Sequence, residues 1–405
     1  MRFRCAWLFP GDGIPVPNAV VEVNENRIHS ITNESEHPSR NIVDLGRVAL
    51  IPGLINAHTH LEFSDLRAPV EPREHFADWI AGVIRQRRER TASPTEAIQQ
   101  GLEESRRAGV KGIAEIATSE LLLNVPPEKE GPRLLVFREI LGLQPERIDS
   151  QLAVAKSFLD QSRARFTGMD AQRFSFGLSP HAPYSLHPRL FRGLIDLAVK
   201  YQVPVAMHLA ESRAEMELLD SGTGPLVDLF RKMEIWPEGV LKEGLTPLDY
   251  LKELSRAPRG IVVHGNYLSD AEIRFLAACP HLSLAYCPRT HSAMQPAAPH
   301  PWRRLLDQGV NVILGTDSRA SNPDLSLWRE LQLLSRSATD LPASTLLSLA
   351  TSRSARACGW NDCGQLTPGF QADFCIVPLS DAGNSDPERF LFETSEIMVR
   401  PSDWN

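Results

Sequence analysis

Over most of this chain, short apolar runs alternate with longer stretches whose apolar residues recur at helical spacing. Compact apolar runs read as buried strands, and the 3.6-residue period reads as amphipathic helices. The runs are VKGIAEIA (110–117), RLLVFREIL (133–141), FSFGLSPHAP (174–183), PVAMHLAE (204–211), GIVVHG (260–265), LSLAYCP (282–288) and VILGTDS (312–318). LINAHTH, ending at His60, precedes them and brings the number to eight. Segments such as HFADWIAGVIRQRRER, PTEAIQQGLEESRRAG, RLFRGLIDLAVKY and DAEIRFLAAC fill the intervals. Eight strands, mostly followed by helices, predict an α/β fold of the (β/α)8 TIM-barrel type. A doubly wound open sheet is the competing architecture, which alternation alone does not exclude.

The two ends follow another pattern. AVVEVNENRIHSITN alternates around a polar break at Asn24–Asn26, a hairpin signal. Near the other end, GQLTPGFQADFCIVPL suggests strands around a Pro-Gly turn. The expected layout is a small β-sandwich-like domain built from residues 1–50 and 362–405, flanking a barrel of residues 51–361.

Composition narrows the function classes. A formal net charge of −7 argues against a nucleic-acid or anionic-membrane partner. No apolar stretch reaches the ~18 residues of a membrane span. Gly11 and Pro10 interrupt the first apolar piece too early for a signal peptide. Six cysteines are scattered without a C-x-x-C pair, so reduced thiols in a cytoplasmic protein are expected. A small-molecule substrate is the remaining partner.

The candidate chemistry lies where strands end, because barrels place their active sites at the C-terminal ends of the strands. His58 and His60 close strand one, two residues apart and so on one face of a strand. His208 closes strand five, His264 strand six and Asp317 strand eight. Glu211 follows His208 by three residues, and His181 ends strand four. A lone histidine in an apolar strand is ordinarily a satisfied core residue. Polar groups at the same end of five strands instead point to a metal site, and catalytic zinc sites use three protein ligands plus water. His58, His60, His208 and Asp317 could supply such a shell.

Taken together, PGLINAHTH, HLAE, VVHG and GTDS resemble the strand-one, -five, -six and -eight motifs of the amidohydrolase superfamily. ALIPGLINAHTH and LTPGFQADFCIV resemble the two seams between its barrel and its β-sandwich. The nearest branch is that of the mononuclear deaminases and triazine chlorohydrolases. The resemblance implies that His58, His60, His208 and Asp317 hold one divalent metal, Zn²⁺ first, with Fe²⁺ or Mn²⁺ as alternatives. It implies that His264 hydrogen-bonds the reacting group, and that Glu211 shuttles protons with Asp317 as the acceptor of the water proton. Binuclear members carry a carboxylated lysine on strand four. None stands in that segment, leaving Lys111 and Lys156 as remote substitutes.

The implied activity is hydrolytic deamination of an amino-substituted N-heterocycle, with release of ammonia. A purine-nucleoside-like substrate such as aminodeoxyfutalosine or an adenosine derivative is expected. Triazine-type chlorohydrolysis and cyclic-amide hydrolysis are alternatives on the same site, and a barrel kept as a non-enzymatic scaffold is the alternative outside enzymes. Barrels of the branch are often homo-oligomers. For the substrate pocket the long βα loops offer Glu62 for a hydroxyl or ring N–H and Trp79 for stacking. Arg138 or Glu139 ends strand three, His181 resembles a substrate-contacting histidine of the branch, and Arg289 and His291 are rim candidates.

Overall fold

The computed structural model describes the chain except residues 34–41, 72–74, 125–130, 169, 295–297, 395 and 400–405. Five strands come first: β1 (Arg2–Leu8), β2 (Val16–Asn24), β3 (Arg27–Asn33), β4 (Ile42–Asp44) and β5 (Val48–Pro52). Eight follow between helices: β6 (Leu54–Thr59), β7 (Val110–Ala117), β8 (Arg133–Ile140), β9 (Phe174–Pro180), β10 (Val205–Leu209), β11 (Gly260–His264), β12 (Leu282–Tyr286) and β13 (Asn311–Leu314). β14 (Phe374–Pro378) and β15 (Met398–Val399) end the chain.

β6 to β13 lie side by side in sequence order, each parallel to its neighbour. The ring closes between its first and last strands. Thr59 bridges Asp317, and the N–H groups of Thr316 and Asp317 both donate to the His58 carbonyl at 3.1 Å. An open doubly wound sheet has a reversal in strand order and two free edges, so this closure decides for the barrel. The strands are apolar on both faces, which is why their sequences read as unbroken runs. Ile55, Ala57, Ile116, Phe137, Ile261 and Ile313 fill the interior. Leu54, Met207, Val262 and Leu284 pack outward into the core shared with the helices.

The seam between β6 and β13 depends on a glycine. A Cβ added to Gly315 would stand 2.7 Å from both Cβ and O of His58 and 3.0 Å from its N. Those atoms are backbone or next to it and have little freedom to move. Gly315→Ala is therefore expected to destabilise the protein by about 1–3 kcal/mol, the usual range for overpacking. An unchanged urea midpoint would refute this.

The second sheet is drawn from both termini. It runs β15-β14-β5-β1-β2-β3, with β4 added alongside β1. β14 pairs antiparallel with β5, the strand that leads directly into β6, so this unit is fixed to the start of the barrel. Its core is Phe3, Leu8, Val21, Leu50 and Phe374. The hairpin read at Asn24–Asn26 turns through Glu25 and Asn26, both left-handed (φ 47° and 62°). Two consecutive left-handed residues make the type I′ turn, whose twist matches that of the strands it joins. The C-terminal tail departs from expectation in one respect: β14 finds its second partner at Met398–Val399, not across the Pro-Gly turn. Among the described residues, no helix is long and apolar enough to cross a membrane.

Candidate metal and substrate site

Every predicted site residue from a strand end arrives at one end of the barrel. The rings of His58 and His60 are 5.0 Å apart, as are those of His58 and His208, and His264 lies 5.7 Å from His58. Asp317 Oδ1 is 3.5 Å from His58 Nε2 and 3.7 Å from His60 Nε2. His60 Nε2 faces His208 Nε2 at 3.3 Å. Ligand atoms of His58, His60 and Asp317 lie within 4.8 Å of one another, as do those of His58, His208 and His264.

Backbone geometry aims these side chains. β6 shifts register against β7 between Asn56 and Thr59, and a bulge of this kind re-aims a strand end. Ala210, His264 and Asp317 are left-handed (φ 54°, 69° and 56°), a conformation that costs a non-glycine residue of order 1–3 kcal/mol. All three stand just at or beyond strand ends around the site. Strain of this kind concentrates where function demands a particular side-chain direction.

Hydrogen bonds then hold the geometry. His208 Nδ1 donates to the His181 carbonyl at 3.1 Å, which leaves its Nε2 lone pair free. Ser321 Oγ donates to Asp317 Oδ2 at 2.6 Å. Thr59 Oγ1 donates to the Asp317 carbonyl at 2.9 Å. His300 Nε2 donates to the His264 carbonyl at 2.7 Å, securing the strained turn from behind. Glu211 Oε1 is 3.3 Å from His264 Nε2. The Glu211 segment is fixed by Glu215, whose two oxygens accept the N–H groups of Ala210 and Glu211 at 2.8 Å, and by Asn266, which donates to the Glu211 carbonyl.

Burial decides the charge states. It pushes the imidazoles of His58, His60, His181, His208 and His264 below their ordinary range, so they are neutral and carry lone pairs. Burial raises the Glu211 carboxyl well above its ordinary range, and the charges of Asp317 and Glu215 add to that. Both ring nitrogens of His58 are buried without a hydrogen-bond partner. Orphaned polar atoms at this depth are uncommon in a folded protein. Facing imidazole nitrogens with a carboxylate beside them form a donor set that suits a zinc-like divalent cation.

The site floors a cavity of about 590 Å³, within the range of small-molecule pockets. Glu62, Trp79, Arg138 and His181 all line it, as the sequence suggests. Glu62 reaches it by another route than strand alternation: the chain leaves β6 at Thr59, and the 3₁₀ turn Leu61–Phe63 carries Glu62 inward. Trp79 faces the cavity and also stacks on Phe76 at 5.6 Å. Strand alternation would put only one of Arg138 and Glu139 inside, yet both line the cavity. Arg138 donates to the carbonyls of Ala117, Thr118 and Glu139. Glu139 is buried, its Oε1 3.8 Å from His181 Nε2.

Arg289 and His291 do not reach the cavity. Arg289 is bound by Glu330 and Asp324 at 2.8 Å, because a buried carboxylate at Glu330 needs a fixed cation. His291 packs edge-on against Tyr286. Lys156 is paired with Asp160 on an exposed helix face, and Lys111 sits at the opening of β7, so neither substitutes for a bridging lysine. Sequence reading missed Glu115, Glu215 and His300. Glu215 carried a signal: Ser212 and Glu215 have the S-x-x-E spacing of a helix start, and Ser212 does accept the Glu215 N–H at 3.1 Å.

Burial, with the charge of Glu62 adding to it, raises Glu139 to about 8. A carboxyl with a raised folded-state pKa binds its proton more tightly when folded. Its stabilising effect is complete below the unfolded value near 4.5 and is lost as pH rises toward 8. Glu139→Gln should therefore gain stability relative to the parent between pH 5 and 9, by about 1–3 kcal/mol, in paired urea titrations. Parallel pH curves for the two proteins would refute this.

A model of the amidohydrolase family matches residues 49–399, from the last strand before the barrel through the final β strand. The chain belongs to the amidohydrolase family. Within it, a 5-methylthioadenosine/S-adenosylhomocysteine deaminase of Pyrococcus furiosus is 27% identical over 395 residues, covering 94% of this chain and 86% of that protein. An aminodeoxyfutalosine deaminase of Deinococcus radiodurans is 28% identical, covering 88% and 85%. The crystal structure of Helicobacter pylori aminofutalosine deaminase with methylthio-coformycin superposes with a TM-score of 0.83 at 21% identity, over 98% of this chain and 97% of that one.

Proposed function

We propose that this amidohydrolase is a hydrolytic deaminase of adenine nucleosides and their 5′-modified derivatives, working with one divalent cation, zinc in the first instance. The observation that carries the reading is the pairing of two sets of groups: neutral imidazoles beside Asp317, His58 with both ring nitrogens orphaned, and a carboxyl at Glu211 that holds its proton within reach of His264. The names of the relatives at 27–28% identity agree with it.

His58, His60, His208 and Asp317 would hold the cation. When bound, it supplies a Lewis acid that lowers the pKa of water from 15.7 to ≈ 7 in the best-known case. Asp317 takes a proton from the attacking water, its other oxygen kept in place by Ser321. Glu211 gives its proton to a ring nitrogen, so the heterocycle accepts the electron pair as the new C–O bond forms. The ionised Glu211 then takes the proton of the newly bonded hydroxyl and carries it to the exocyclic amine; the C=O bond forms as the C–N bond breaks, ammonia leaves, and the proton held by Asp317 returns to Glu211. General acid–base work of this kind contributes ~10²–10⁴-fold. His264, held from behind by His300, orients Glu211 and the group being attacked. The apolar cavity walls, Trp79 among them, hold the base and exclude bulk water.

The test is an ammonia-release screen with zinc-loaded protein over adenosine, 5′-methylthioadenosine, S-adenosylhomocysteine, guanine, cytosine and amino- and chlorotriazines. Ammonia from an adenine nucleoside is the expected result. Halide release from a chlorotriazine with no ammonia from any nucleoside would overturn it.

A further inference from the structure

Two carboxyl groups on the cavity wall are not used by the chemistry above. Glu62 follows β6 and Glu139 ends β8; both are buried. Glu62 Oε2 accepts from Thr118 Oγ1 at 2.6 Å and from Arg87 Nη2 at 3.2 Å, but its Oε1 has no hydrogen-bond partner among the described residues. Glu139 Oε1 has none either, since His181 Nε2 at 3.8 Å is beyond hydrogen-bond distance. The fold thus leaves one buried acceptor open on each of two neighbouring carboxyl groups, in a cavity built to take a ligand. A buried oxygen without a donor is costly, so a ligand donor is the missing partner.

The charge around the pair selects the kind of donor. Arg87 already binds Glu62, and both Arg87 and Arg138 act electrostatically on Glu139. With that positive charge in place, a cationic ligand group is not required, and neutral hydroxyls suffice. Each hydroxyl donates one hydrogen bond. Two hydroxyls match two open oxygens, on carboxyl groups close enough for Glu62 to act electrostatically on Glu139.

Position agrees with this. His181 and His264 flank His208 on opposite sides, their rings 5.0 and 5.4 Å from it. Glu211 stands on the His264 side and Glu139 on the His181 side. A base presented to Glu211 leaves the His181 side of the cavity, where Glu139 stands, open to its sugar.

We propose that Glu62 and Glu139 form a clamp for the vicinal diol of the substrate's sugar, making the enzyme selective for ribonucleosides over deoxynucleosides. The proposal rests on the nucleoside reading above and names the residues that recognise the sugar.

The test separates binding from turnover. Dissociation constants of adenosine, 2′-deoxyadenosine and 3′-deoxyadenosine are measured by calorimetry on zinc-loaded Glu211→Gln protein, and ammonia release is measured on the zinc-loaded parent. Adenosine should bind on the order of 10–100-fold more tightly than either deoxy ligand. At pH 9, where Glu139 is ionised, adding Glu139→Leu should bring the ratio to within about two-fold of one for the deoxy ligand that lacks the hydroxyl held by Glu139, and Glu139→Gln, which keeps a neutral acceptor, should leave an intermediate ratio for that ligand. If the leucine variant does not fold, the glutamine variant decides: an unchanged ratio overturns the clamp. Equal binding of the three ligands before these changes also overturns it, and ammonia release then still upholds the deaminase. Ribose-selective binding with no ammonia from any nucleoside keeps the clamp and removes the deaminase. A second zinc per chain that disappears in Glu139→Gln would assign the open oxygens to a cation and overturn the clamp.

Discussion

Replacing His208 with alanine is expected to empty the metal site and end turnover while leaving the fold intact. His208 is the imidazole whose tautomer the structure fixes most directly. Its Nδ1 is committed to the His181 carbonyl, and its Nε2 points at His60 Nε2, 3.3 Å away. Loss of a partner that merely orients a ligand typically costs 10–100-fold in metal affinity. Loss of a ligand itself should cost more, on the order of 100-fold or above. The fold should tolerate the change because β10 is held by neighbours on both sides and by Val205, Met207 and Leu209 in the outer core. Elemental analysis should fall from one metal per chain to a small fraction, with the circular-dichroism spectrum unchanged. Full occupancy in His208→Ala would refute the ligand set. A collapsed spectrum would call for His208→Gln, which keeps volume, and the same metal measurement.

Much of this site was legible in the sequence because barrel physics places function at strand ends. His58, His60, His181, His208, His264 and Asp317 each follow an apolar run too short for a helix, so their common location followed once the runs were counted as barrel strands. The strand boundaries at 110–117 and 133–140 emerged within a residue for the same reason. What the sequence hid was direction. Strand alternation predicts neither the left-handed turn that swings His264 nor the 3₁₀ turn that carries Glu62 into the cavity. It also forces a choice between Arg138 and Glu139 that the real strand end does not make. The residues missed altogether act through other residues: Glu115 accepts the Leu61 N–H with both oxygens, and His300 holds a carbonyl. Their partners are distant in sequence, and no local spacing advertises such a contact.

Glu211→Gln is expected to keep its metal and lose on the order of 10²–10⁴ in kcat, the contribution of a positioned acid–base group. The substitution changes almost nothing but the proton. Glutamine has the same shape, and the backbone around it is held independently by Glu215 on the N–H groups of Ala210 and Glu211 and by Asn266 on the carbonyl. None of the four proposed metal ligands is bonded to the Glu211 side chain, whose partner is His264. The loss should therefore appear in kcat, with binding of an adenine nucleoside little altered. Burial raises the Glu211 pKa, and the protonated form is the one that donates to the ring. In the parent, kcat/KM should accordingly fall as pH rises through that pKa, and this alkaline limb should be missing from the residual activity of Glu211→Gln. The two readouts part the chemical role from a structural one. A carboxyl that only braced His264 would give a variant with reduced metal content or altered stability and an unchanged pH profile. Parental kcat in a fully metallated Glu211→Gln protein would remove Glu211 from the reaction, and with it the proton path on which deamination at this site depends.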